Sequence, residues 1–268
     1  MIHIDLLLLR YPLYTLLKMY QIYFLLLSFN VLFVSCITYP CGNSSATASN
    51  DWDYLTFSQH WPPSFCISVS DQNNKCVIPS DVKTWTIHGL WPSLENGTNP
   101  EYCYSPQMFN DSTITPLVKQ LNQTWPNLIL ENPFTVFWQH EWCKHGTCGE
   151  NTSAINGELN YFQKGIDLHN NLSLTNVLES GHILPGRNYS LSNINSVLFK
   201  AFNVTTKVLC FYNKEQVVLQ QVEICYNKNF TLRNCPGSTQ KRLTNLGNCS
   251  SKKDIYYPPL NEYSFFVH

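Results

Sequence analysis

Short apolar runs of differing period alternate along the chain from Trp52 onward. Trp52 to Phe57, WDYLTF, reads as a strand that the pair Pro62–Pro63 ends. Lys83 to His88, KTWTIH, alternates like a second strand. The run Gly89-Leu90-Trp91-Pro92 is predicted to break it, which puts His88 at a strand's exit. Helical spacing follows at Ser112 to Trp125, where Leu117, Val118 and Leu121 share one side. Asn132-Pro133 suits the opening of another helix, Phe134 to Lys144, with Gly146 as its stop. Gly157 to Leu168 and Asn193 to Phe202 are further helical stretches, and Lys207 to Tyr212 and Gln216 to Tyr226 read as late strands. The tail from Ser251 to His268 has no clear period, and its aromatic end is expected to dock on the body. This irregular order predicts an α+β domain, an antiparallel sheet packed with several helices, rather than a βαβ series.

The first 36 residues stand apart. Lys18 precedes an apolar run, Tyr20 to Cys36, that leaves through small or polar residues, the layout of a secretory signal. Residues 1 to 18 are also apolar, so either Met19 is the true start or residues 4 to 35 form a long anchor that Asp5, Arg10, Pro12 and Lys18 interrupt. The expected organisation is a removed signal region over 1–36, a flexible arm over 37–51 and one disulfide-stapled domain over 52–268.

Outside the signal lie ten cysteines, an even number that suggests five disulfides in an exported chain without fixing their pairing. Cys66 and Cys76 bracket a polar loop, which suggests one local bond. Ten N-x-S/T sequons, from Asn43 to Asn248, fit the same secretory route and predict N-glycans. With 17 basic and 18 acidic residues the net charge is −1, which excludes a generic polyanion sponge but not an enzyme that grips one or two nucleotides.

The densest chemistry is FWQHEWCKHGTC, Phe137 to Cys148, where His140, Glu141, Lys144 and His145 fall within six residues. On a helix His140 shares a face with Lys144, and Glu141 with His145. Zinc is a poor fit: the two histidines are five apart rather than four, and Lys144 would set a cation beside the metal. A Cys148 nucleophile conflicts with disulfide pairing, and buried histidines that merely satisfy hydrogen bonds do not explain four ionisable groups in six positions. Two imidazoles, a lysine and a carboxyl group instead suit a pentavalent anionic transition state, one imidazole taking a proton while another gives one. His88, in IHGLWP, supplies the second imidazole.

IHGLWP (Ile87 to Pro92) and FWQHEWCKHGTC resemble the two signature segments of the ribonuclease T2 family, and SQHWPPSFC (Ser58 to Cys66) resembles the family's first strand and its exit. The resemblance spans Trp52 to Cys249. It implies a secreted or lysosomal endoribonuclease of α+β fold that needs no metal or other cofactor. Its partner is single-stranded RNA, with no stable DNA or protein partner implied, and it is expected to be a soluble monomer. By position, His88 matches the general acid, His145 the general base, Glu141 and Lys144 the transition-state stabilisers, and His140 a phosphate-contacting histidine. Trp91 resembles a base-site aromatic, and Gln59 and Trp61 are expected to line the substrate pocket. The disulfides it implies are Cys66–Cys76, Cys103–Cys148, Cys210–Cys249 and Cys225–Cys235, with Cys41–Cys143 as a fifth tying the arm to the back of the helix. A secreted binding or signalling protein on the same fold is the alternative reading.

Overall fold

The structure is a computed structural model that describes residues 38–39, 41, 51–70, 75–97, 99–103, 109–130, 133–212, 216–237 and 246–261. The expected signal region, most of the arm and the aromatic chain end lie outside the described residues.

The sheet is organised by one strand. Val217–Tyr226 (β7), VVLQQVEICY, is rich in β-branched residues and buried along its whole length. Tyr54–His60 (β2) pairs antiparallel on one side of it and Lys207–Tyr212 (β6) on the other. Beyond β2 lies Thr86–Ser93 (β3), antiparallel and outermost. Short strands complete the sheet: Arg187–Tyr189 (β5), Leu232–Arg233 (β8), Leu246–Asn248 (β9) and Ile255–Tyr257 (β10). The pairing is antiparallel, as expected, except where β10 meets β7 in parallel through Tyr256 and Val218. A separate two-stranded ribbon joins Thr38–Tyr39 (β1) to Phe109–Asn110 (β4).

Six α-helices are described: Pro62–Ser70 (α1), Val118–Thr124 (α2), Phe134–Lys144 (α3), Glu158–Leu172 (α4), Leu174–Ser180 (α5) and Leu191–Phe202 (α6). Helix α3 has the predicted bounds, with Pro133 as its N-cap. Helix α6 starts two residues early because the Ser190 hydroxyl accepts the Asn193 amide. The predicted helix over 112–125 is shorter, and a 3₁₀ turn, Thr115–Leu117, leads into it.

Two expectations are corrected. The proline pair does end β2, but the same prolines open α1, because their missing amides fall in the first helical turn where no partner is needed. Strand β3 is not broken at Gly89. It continues through Pro92 to Ser93, so His88 sits near the strand's start rather than at its exit. Proline is tolerated because β3 is an edge strand whose outer side needs no ladder bond. Of the tail, the described part is ordered into the sheet, with Ile255 and Tyr257 buried in the core; the aromatic end expected to dock lies outside the described residues.

Four disulfides follow the pairing that the resemblance implied, and the two cysteines it left over, Cys41 and Cys143, form the fifth. Two of them hold α3 and its exit. Cys41–Cys143 ties the arm to the helix, and Cys103–Cys148 ties the loop after β3 to the turn that follows it. Three buried aromatic side chains fix α3 and α4 to the edge of the sheet. Trp138 Nε1 donates to Trp125 O at 2.8 Å, and Trp125 Nε1 donates to His88 O at 3.0 Å. The Tyr161 hydroxyl on α4 donates to Leu90 O at 2.9 Å and reaches Glu141 O at 3.4 Å, so it bridges β3 and α3.

Candidate active site

Strand β3 and helix α3 bring His88, Trp91, His140, Glu141, Lys144 and His145 together. Three positions apart, His88 and Trp91 would face opposite sides of a regular strand, but the bulge in the β2–β3 pairing, where Ser58 meets Gly89 and Gln59 meets Ile87, leaves His88 as the extra residue; its ring meets that of Trp91 edge-on, centroids 5.0 Å apart. The Trp91 ring is also 5.3 Å from that of His145, so it packs against both imidazoles. His145 lies just past the last turn of α3, with φ −120° and ψ −48°, and not on the helical face it was expected to share with Glu141. Its ring meets the exposed His140 ring edge-on at 6.5 Å.

Glu141 is buried beneath this surface rather than on its rim. Trp91 Nε1 donates to its Oε2 at 2.9 Å. Gly89 makes that bond possible, since a Cβ there would collide with both the Trp91 indole nitrogen and the Glu141 carboxylate. Burial raises the Glu141 carboxyl to about 8, against the Trp91 bond and the Lys144 charge, which lower it. The group is therefore a neutral acid in mildly acidic solution.

His88 is oriented from behind. Its Nδ1 lies 2.7 Å from Gln221 Oε1, Gln221 Nε2 donates to Glu223 Oε1 at 3.0 Å, and Glu223 pairs with Lys207 at 3.8 Å. The Glu223 carboxylate takes the Gln221 amide hydrogens, which leaves the Gln221 oxygen to accept from His88 Nδ1–H. The Nε2 atom of His88 is thereby left for a reacting group. Burial lowers His88 to about 4, opposed by the Gln221 bond and reinforced by His140 and Lys144. Burial also lowers His145, to about 2, with Lys144, His140 and His88 pressing in the same direction.

Gln59 and Trp61 are not brought to this site. Gln59 points the other way along β2, into a cavity of about 280 Å³ that it lines with Trp85, His169 and Leu174. Trp61 is core: its Nε1 donates to Pro258 O at 2.8 Å and its ring packs on Trp85 and Tyr257. The residue between them, His60, does face the site, with its ring 5.4 Å from His88 and stacked on Phe65 at 4.8 Å. Period-2 alternation explains the reversal, since in a strand that puts His60 on the His88 side Gln59 must face away.

Sequence reading passed over four groups here. Phe137 is partly buried, with its ring 6.3 Å from His88. Gln221 and Glu223 were visible as polar interruptions of an apolar strand, a pattern that marks a buried hydrogen-bond network. Glu101, paired to Lys144 at 3.4 Å, left no signal. Cys143 and Cys148 are both in disulfides, so neither serves as thiolate ligand or nucleophile.

Known proteins resemble this chain in both sequence and fold. The family model described as "Ribonuclease T2 family" matches residues 52–235. The chain belongs to the ribonuclease T2 family. Among relatives of this T2-family ribonuclease, Ribonuclease Oy of Magallana gigas is 34% identical over 218 residues, covering 79% of this chain and 99% of the relative. Two solved structures are also similar. RNase NT in complex with 5′-AMP has a TM-score of 0.66 and 30% identity, over 78% of this chain and 100% of that one. Human RNase T2 has a TM-score of 0.64 and 32% identity, over 78% and 99%.

Proposed function

We propose that the chain is an endoribonuclease that cleaves single-stranded RNA by attack of its own 2′-hydroxyl, without a metal. The observation that carries this reading is the packing of both His88 and His145 against the one Trp91 ring, with His88 Nδ1 held by Gln221. His145, neutral because it is buried among positive charges, takes the 2′-OH proton as O2′ attacks phosphorus. The P–O5′ bond breaks, and His88, protonated and hydrogen-bonded to Gln221, gives its Nε2 proton to O5′. A 2′,3′-cyclic phosphate results. In the second step water attacks that phosphate with the roles exchanged, leaving a 3′-phosphate.

Charge on the non-bridging oxygens is met by Lys144 and His140, and Glu141, a neutral acid buried beneath them and bonded to Trp91, supports the site without adding a negative charge. Trp91 and Phe137 wall the cleft in which the nucleotide lies. DNA lacks the attacking hydroxyl, so this route leaves it intact.

Export through the secretory route, as a glycosylated monomer, fits the five disulfides and the sequons. A tomato relative, 34% identical, is named Extracellular ribonuclease LE.

The deciding experiment offers the oxidised protein a short RNA and its 2′-deoxy analogue in EDTA at about pH 5, near where an imidazole pair can share roles. Cleavage of RNA alone through a cyclic phosphate is expected, with His88→Ala or His145→Ala costing about 10²–10⁴-fold. Cutting of the deoxy analogue, or no cleavage by correctly disulfide-bonded protein, would overturn the reading.

A further inference from the structure

Three consecutive residues of the loop after β3 fasten onto the same end of α3. Glu101 pairs with the Lys144 ammonium at 3.4 Å, the Tyr102 amide donates to Lys144 O at 2.9 Å, and Cys103 is bonded to Cys148. Tyr102 takes a left-handed conformation, φ +50°, which L side chains avoid without local compensation. The loop is thus held in one place by its covalent bond, its backbone bond and its turn. Glu101 is delivered to Lys144 by that anchorage.

We propose that Glu101 is a resident counter-ion of the phosphate site, occupying Lys144 until a substrate phosphate displaces it. The inference rests on the reading of Lys144 as a phosphate contact. Both partners keep contact with water, the Lys144 side chain being 27% exposed and that of Glu101 45%. A pair of this kind is weak enough to exchange. The carboxylate competes with an arriving anion for the same ammonium, and its charge opposes that anion. It also acts on His140, raising that imidazole's affinity for a proton, while burial and Lys144 lower it. The other groups facing this point are His145 and His88, both lowered partly by the Lys144 charge. Glu101 is therefore a positioning residue. It holds the Lys144 ammonium over the cleft when no phosphate is present and sets how strongly the cleft draws one in.

The test is equilibrium binding of 5′-AMP to the oxidised wild type and to Glu101→Gln, with His140 followed by its imidazole proton resonance. The variant is expected to bind about two- to fivefold more tightly at low salt, the range of an exposed ion pair. The gap is expected to close at about 1 M salt, where screening is short-ranged. The His140 titration midpoint is expected to move down. Equal or weaker binding by the variant at low salt would overturn the proposal. Because the measurement reads binding, it is decided whether or not the protein cuts RNA; loss of cleavage with the affinity shift intact would count against the proposed activity and not against Glu101.

Discussion

The Trp91 indole nitrogen and the Glu141 carboxylate meet at 2.9 Å across the gap between strand and helix, in the space that Gly89 leaves open. A methyl group at position 89 would have to push both partners apart. Gly89→Ala is therefore expected to lower kcat/KM by about 10²-fold, the scale of an ångström-sized misplacement, while circular dichroism still reports a folded protein. Trp91→Phe keeps the ring but removes the donor, so the Glu141 carboxyl should rise further above about 8.

The contact from Gln221 to His88 gives a different signature. That hydrogen bond favours the protonated imidazole, against the burial that lowers it to about 4. Gln221→Leu removes it, so a proton on His88 becomes harder to keep. The general acid must be protonated to act, and kcat/KM reports the free enzyme. The alkaline limb of the kcat/KM profile is thus expected to shift to lower pH, with a drop in rate of about tenfold or more at pH 6. A profile that only falls in height, with both limbs in place, would assign Gln221 a purely structural part.

Stability should peak in mildly acidic solution. His60, His88, His140 and His145 all bind protons less readily folded than unfolded. Their contribution is present above the ordinary histidine range and is lost as pH falls through their folded values, about 4 for His88 and about 2 for His145. Glu141, Glu158 and Glu223 are shifted the other way by burial, to about 8 for Glu141 and about 7 for Glu158. Their contribution is present below the ordinary carboxylate range and is lost as pH rises through those values. Thermal melts across the pH range are expected to give a maximum near about pH 6. Glu141→Gln should flatten the alkaline side of that curve.

Cys41–Cys143 closes a separation of 102 residues, the longest of the five bridges. Replacing both cysteines by serine is expected to lower unfolding stability by about 2–4 kcal/mol in denaturant titration. Some activity should be lost too, because the bridge bears on the helix that carries His140 and Lys144.

The long periodic elements were legible because their apolar pattern and their environment agree. Lys207–Tyr212 and Phe134–Lys144 have the expected bounds for that reason. Strand β3 was misread because proline argues against a strand only where both sides are paired, and the sequence does not say which strand is at the edge. The strands Arg187–Tyr189 and Ile255–Tyr257 exist through their partners and carry no period of their own. Within the site, the residues inside the two motifs were legible from their chemistry. Gln221 was not, because it meets His88 across 133 positions of sequence. Trp61 was assigned to the pocket through its nearness to a motif, while the alternation of β2 turns it into the core.

The two sulfur bridges that end on α3 and its exit have a consequence for where the chain can work. They join the helix bearing His140, Glu141 and Lys144 to the arm and to the loop that holds Glu101. Such bridges persist outside the cell and in the secretory lumen and are opened by thiols in the cytosol. Without them the working edge would lose its covalent ties to the arm and to the loop. The staples that hold the small cleft together thus tie its working shape to an oxidising setting.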